Sequence, residues 1–186
     1  MTTTLLRGFA VFGLVLGLIW AGVSATRAQT LDPQNTLYLD LKDGRVVIKL
    51  RPDLAPGHVE QIKTLVKRGF YDGIVFHRVI DGFMAQSGDP TGTGTGKSDL
   101  PNLKAEFNAR PFERGVLGMA RSQSPDSANS QFFIMFAPAP HLNRQYTVWG
   151  EVVSGMEFVD KIKKGDAASN GLVRDPDKII KMQIAA

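Results

Sequence analysis

Apolar and polar residues alternate most regularly in "NTLYLDLKDGRVVIKL", residues 35–50. A period of two is the period of a half-buried strand. The segment therefore predicts two short strands around Asp43-Gly44, because Asp-Gly supplies the positive φ values that a two-residue hairpin turn requires. From Pro56 to Arg68 the period changes. Val59, Ile62, Leu65 and Val66 recur at helical spacing, Pro56 suits the first turn, and Gly69 suits the position just past the last. "GIVFHRVIDGFMAQSG" (73–88) reads as strand again, with a second Asp-Gly pair at 81–82. "GVLGMA" (115–120), "SQFFIMFA" (130–137) and "QYTVWGEVV" (145–153) are further β-rich runs. Met156, Val159 and Ile162 mark a second short helix ending near Gly165, and "DKIIKMQIA" (177–185) reads as a last strand.

Many short strands with two short helices argue against a βαβ array and for an antiparallel barrel or sandwich with helices at its ends. Nine of the eleven phenylalanines fall between Phe70 and Phe158, which predicts an aromatic core in the central strands.

The first 28 residues follow a different pattern. One basic residue, Arg7, precedes an apolar run of about sixteen residues from Gly8 to Val23. Val23-Ser24-Ala25 and Thr26-Arg27-Ala28 then offer small-residue cleavage sites. This is the order of a secretory signal peptide, removed after 25 or 28. The run is shorter than the roughly 20 residues that span a bilayer. An uncleaved membrane anchor is the alternative. The expected domain is 29–186, about 158 residues, enough for one core.

Composition narrows the chemistry. Of 22 basic residues the leader takes Arg7 and Arg27, leaving 20 against 18 acidic ones, about +2. That balance, with no basic run of five or more, gives no footprint for nucleic acid. Zero cysteines removes disulfides, thiol catalysis and cysteine zinc sites. His58, His77 and His141 lack the spacing of metal ligands, and no metal or cofactor is expected.

"TGTGTGKSD" (91–99) looks at first like a phosphate-binding loop. A Walker loop needs glycine five positions before the Gly of Gly-Lys-Ser; here that position is Thr91. The following "DLPNLKAEFN" has no helical stripe, so the stretch is expected to be a flexible glycine loop between strands and no nucleotide site. Asp81 and Asp89 read as turn formers beside Gly and Pro. No Gly-x-Ser-x-Gly elbow occurs.

The unusual object is "FHRVIDGFMAQSGD" (76–89), with Arg78 mid-strand among Phe76, Val79 and Ile80. A lone buried guanidinium is costly. Either Arg78 pairs with a surface carboxylate, or it stands in a partly open apolar groove facing a polar ligand. Phe83 and Met84 taken alone are ordinary core residues.

Followed by "GTGTGKS", "GVLGMARSQSPDSANSQFFIMF" and "HLNRQYTVWGEVVSGMEFVDKI", this segment resembles the cyclophilin family of peptidyl-prolyl cis-trans isomerases over roughly residues 36 to 185. The look is that of bacterial exported members. The resemblance implies a closed eight-stranded antiparallel β-barrel capped by two short α-helices. It implies an active groove on the outer barrel face, with the glycine string as a surface loop beside it. Arg78 matches the catalytic arginine, and Phe83, Met84, Phe133 and Leu142 match the pocket for the substrate proline ring. Gln86 and Gln131 match groups that orient the substrate backbone, and Ala120 and Arg121 match the segment pairing with the residue before proline. Arg121 stands where the family often has Asn, and Tyr146 replaces a common histidine. His141 falls where many members carry the tryptophan that stacks on cyclosporin, so weak cyclosporin binding is expected. The implied function is rotation of X-Pro bonds in unfolded or flexible polypeptides, by a periplasmic monomer that assists folding of exported proteins. A proline-segment binder or holdase with little turnover is the competing reading.

Overall fold

The computed structural model describes residues 30–186, so the leader expected at 1–28 lies outside the described residues. Strand β1 (Thr36–Leu41) pairs antiparallel with β2 (Gly44–Leu50), Leu41 opposite Gly44. The two turn residues are therefore Lys42 and Asp43, one position earlier than the Asp-Gly signal suggests. Asp43 does not take a positive φ; Gly44 does, at 153°. The glycine is needed for space, since a Cβ there would lie 2.6 Å from the Phe158 ring. The alternation itself holds: Leu37, Leu39, Leu41, Val46, Ile48 and Leu50 are all buried.

Helix α1 (Pro56–Lys67) buries Val59, Ile62, Leu65 and Val66, the stripe its period predicts, and Gly69 follows its end at φ 67°. Helix α2 (Met156–Asp160) is shorter than its pattern; Ile162 is buried beyond its end. The remaining strands are β3 (Arg78–Ile80), β4 (Met84–Ser87), β5 (Val116–Met119), β6 (Phe132–Met135), β7 (Val148–Ser154) and β8 (Lys181–Ile184).

All eight strands join one antiparallel sheet in the order β3-β4-β6-β5-β7-β2-β1-β8. The expected closed barrel is corrected here: the strand number, their antiparallel sense and the two helices agree, but the sheet is an open, curled half-barrel. Its edges β3 and β8 share no ladder, and isolated bridges Val75–Lys178 and Arg78–Leu172 stand near the gap. The physical reason is local. Asn170 and Asp175 turn through left-handed φ values of 54° and 50°, so the chain beside β3 cannot run extended. Residues 177–179 bond instead to 73–76, through Gly73 N–H to Ile179 O and Phe76 N–H to Asp177 O, both at 2.8 Å. This is why the last strand begins at Lys181 rather than at 177.

The run "FFIM" of β6 is buried at all four positions because the sheet is covered on both faces there. Phe132 and Ile134 enter the main core with Tyr71, Phe76 and Trp149, while Phe133 and Met135 enter a second cluster with Met84, Phe112, Val116 and Leu142. That second cluster is the floor of the site.

Candidate active site

Strand register assembles the site. Arg78 lies opposite Gln86, Gln86 opposite Phe133, and Phe133 opposite Gly118, a single row across β3, β4, β6 and β5. Opposed residues in neighbouring strands share a face, so a cation, an amide and a ring stand side by side. Gly118 at the end of the row makes room for the ring: a Cβ there would collide with Phe133 and lie 2.6 Å from Phe112. The rings of Phe112 and Phe133 pack tilted with centroids 5.6 Å apart, and Tyr146 meets Phe133 edge-on at 5.7 Å.

Above this row is a depression of about 360 Å³ lined by Arg78, Phe83, Met84, Gln86, Ala120, Arg121, Phe133, Leu142 and Tyr146. These are nine of the eleven residues that the sequence proposes for the site. Of the other two, His141 stacks on Phe83 at 5.8 Å between centroids, beyond the lining. Gln131 lines an adjoining depression of about 370 Å³, which shares Gln86, Ala120 and Arg121 with the first.

Arg78 makes no ion pair among the described residues, which decides between the two readings of its sequence context. Its Nε–H donates to the Asn170 carbonyl at 3.0 Å, Nη2 to Asn170 Oδ1 at 2.9 Å, and Nη1 to Gln86 Oε1 at 3.2 Å. A guanidinium carries five N–H donors, so one remains on each Nη. Burial lowers the Arg78 pKa from its usual value, with nearby Tyr146 opposing, and arginine stays charged regardless.

Gln131 Nε2 donates to the carbonyls of Gly94 and Gly96 at 3.0 and 2.8 Å, while its Oε1 accepts from Gln86 Nε2 at 2.9 Å. The glycine string is thus a loop beside the site, as expected, and it touches the site through Gln131. Its backbone N–H groups do turn inward as in a phosphate cradle, but toward the chain's own Asp89. That carboxylate accepts from the N–H groups of Thr91, Gly94 and Gly96 at 2.7, 2.6 and 3.0 Å, and from the Thr91 hydroxyl at 2.8 Å.

The Arg121 guanidinium lies over Tyr146 at 4.6 Å and donates to the carbonyls of Gln145, Ser122 and Gln123. It forms the wall between the two depressions. With Lys97 it gives the second depression two cations and no carboxylate. Among the described residues no group of three His, Cys, Asp or Glu side chains could hold a metal ion.

Sequence reasoning missed Asn170, which fixes Arg78 from 92 positions away. The pair Asn170-Gly171 signals a turn, but no local pattern states what a turn faces. Asp89 does more than form a turn, and in sequence a carboxylate beside proline looks the same whether it shapes a turn or fills a loop.

The family model for cyclophilin type peptidyl-prolyl cis-trans isomerases matches residues 36–184. A probable peptidyl-prolyl cis-trans isomerase of Brucella suis is 60% identical over 170 residues, covering 86% of this chain and 87% of that one. Peptidyl-prolyl cis-trans isomerase B of Bacillus subtilis is 45% identical over 133 residues, covering 70% and 92%. Among solved structures, a cyclophilin type isomerase of Cryptosporidium parvum, crystallised in the presence of the dipeptide Ala-Pro, superposes with a TM-score of 0.73 at 29% identity, over 80% of this chain and 98% of that one.

Proposed function

The chain belongs to the cyclophilin type peptidyl-prolyl cis-trans isomerase family and is a peptidyl-prolyl cis-trans isomerase, and we propose that catalysis takes place in the depression beside Arg78 and serves the folding of exported proteins.

The X-Pro bond resists rotation by about 18–20 kcal/mol because the nitrogen lone pair is delocalised into the carbonyl. Uncatalysed exchange takes tens to hundreds of seconds. Reaching about a thousand turnovers per second requires a factor on the order of 10⁵, or about 7 kcal/mol. No bond breaks, so the protein needs only to favour the twisted amide over both planar forms. In the twisted state the lone pair returns to nitrogen, which becomes an acceptor. A free Nη–H of Arg78 donates to it, a charge-assisted bond worth roughly 1.5–3 kcal/mol. Phe83, Met84, Phe133 and Leu142 hold the proline ring and exclude water, which strengthens that bond. Gln86, Gln131 and the Ala120–Arg121 segment hold the flanking backbone, so that rotation occurs about one bond. Tyr146 supports the Phe133 ring and His141 extends the rim.

One observation carries this reading: a guanidinium oriented entirely by neutral oxygens, with donors left over, beside an apolar depression. A cation already neutralised by a carboxylate would have less to offer a developing acceptor. The substrates are proline-containing unfolded or flexible polypeptides, and the protein acts on them as a monomer. The apolar run and small-residue sites of the first 28 residues support export to the periplasm. Cyclosporin binds weakly, because an imidazole at His141 offers less stacking surface than an indole. The test is a proline-peptide isomerisation assay on wild type and Arg78→Ala. A loss of at least tenfold in kcat/KM is expected; equal rates would overturn the assignment.

A further inference from the structure

We infer that Asp89 is a positioning residue for the isomerase reaction, acting on Arg78 through an ordered chain of hydrogen bonds that runs through the glycine loop, Gln131 and Gln86. The inference rests on the assignment of Arg78 as the donor to the rotating amide.

Asp89 is 1% exposed and makes no salt bridge among the described residues. Its partners are loop donors, two on each oxygen: Thr91 N–H and hydroxyl on Oδ1, Gly94 and Gly96 N–H on Oδ2. Burial alone would raise its pKa, but these bonds outweigh that and bring it to about 2, so the group stays ionised. The loop is closed around it: a side chain at Gly96 would collide with the carboxylate.

The consequence is directional. With their N–H groups drawn to Asp89, Gly94 and Gly96 present their carbonyls to Gln131, and both accept from Nε2. An amide has its donors on one side and its acceptor on the other. Fixing Nε2 toward the loop therefore fixes Oε1 toward Gln86, where it accepts from Gln86 Nε2 at 2.9 Å. That in turn leaves Gln86 Oε1 facing Arg78 Nη1 at 3.2 Å. Rotating either amide by half a turn would set an NH₂ group against a donor, against Gln86 in one case and the guanidinium in the other. The carboxylate at one end thus determines the polarity of the whole chain, and the guanidinium at the other end receives an acceptor rather than a competitor. Hydrogen bonds in such a series also polarise one another. Because Arg78 donates to the substrate nitrogen only in the twisted state, loss of this orientation falls on kcat more than on KM.

The experiment is a double-mutant cycle read by the isomerisation assay, with thermal melts of each variant. Asp89→Asn keeps one acceptor but sets an NH₂ among the loop donors. It is expected to lower kcat about tenfold, with KM changed less than twofold. In the Gln131→Ala background, where the chain is already cut, the same substitution is expected to change kcat by less than twofold, since residues acting through one another are not additive. If melts show that Asp89→Asn does not fold, Thr91→Val takes its place: it removes one donor from the carboxylate, with an expected two- to threefold loss that also vanishes beside Gln131→Ala. Formate added to Asp89→Ala is expected to restore part of the rate. Losses that multiply in the double variant, or a loss confined to KM, would make Asp89 a structural residue only and overturn the inference. An inactive Arg78→Ala with a fully active Asp89→Asn sinks this inference alone, whereas an active Arg78→Ala sinks the assignment beneath it.

Discussion

Arg78 and Asn170 are joined twice, Nε to the Asn170 carbonyl and Nη2 to its side-chain oxygen, although 92 positions separate them. Asn170 holds φ 54° to do so, a conformation that Asn tolerates better than most residues. A turn residue outside the sheet thereby fixes the plane of the guanidinium in the groove.

Asn170→Gly tests that coupling without straining the turn, because glycine accepts the left-handed φ and keeps the carbonyl. Only the Oδ1 bond is lost, worth roughly 1.5–3 kcal/mol when a charged donor is involved. The expected outcome is a fall in kcat/KM of about tenfold, with a melting temperature within a few degrees of wild type. A variant with the wild-type rate would show that the carbonyl alone suffices.

Gly118→Ala tests the floor. The new methyl would collide with Phe133 and come within 2.6 Å of Phe112, so the ring must move into the depression. Overpacking of this kind costs about 1–3 kcal/mol, and a displaced Phe133 narrows the space for proline. Both denaturant midpoint and kcat/KM should drop. Full activity together with full stability would mean that the rings relax elsewhere.

Acid should destabilise the fold through His58 and Glu106. His58 is fully buried, with Nδ1 2.5 Å from Glu106 Oε2, and Glu106 also accepts the N–H groups of Gly57 and His58 at the start of α1. Burial lowers the His58 pKa below 6.5 against the pull of Glu106. For Glu106 burial acts upward, but the hydrogen bonds from His58 and Gly57 prevail and hold it below 4.5. Both folded-state values lie under the unfolded ones, so the unfolded chain binds more protons as pH falls. Stability should be complete above about pH 6.5, decline as pH drops below that, and decline again below about 4.5. Denaturant midpoints at pH 7, 5 and 4 measure it. His58→Gln should remove the first part of the decline; an undiminished decline in that variant would point to other groups.

Lys97 and Arg121 line the second depression without a carboxylate, and Lys97 Nζ is held by Asn102 Oδ1 at 3.1 Å. In an extended peptide, side chains two positions apart share a face. A proline in the first depression therefore puts a side chain two residues away over the second. Glutamate there, on one side of the proline, should raise kcat/KM about two- to fivefold over lysine, the range for exposed pairs. Salt should erode the preference. Equal rates for both peptides, or a preference unchanged in Lys97→Gln, would rule out recognition by charge.

How far the sequence carried depends on the range of each interaction. The β1–β2 alternation, the α1 stripe ending at Gly69 and the Phe-rich centre are set by neighbours a few residues apart. Those were legible. Arg78 amid apolar residues is also visible, but whether it meets a carboxylate or a groove stays open, because that depends on Asn170 arriving from 92 positions away. Closure of the sheet failed as an expectation for the same kind of reason, since two left-handed residues near the end, Asn170 and Asp175, decide whether β8 can reach β3.

The amino-acid order by itself determined where the strand and helix runs lie and the family, since these follow from local periodicity and from motifs read along the chain. Only the folded molecule decided that the sheet stays open, that Asp89 fills the glycine loop, and that two amides point their oxygens in one direction toward Arg78. Orientation of that sort is fixed by hydrogen-bond geometry between distant segments, and a one-dimensional pattern contains no angles.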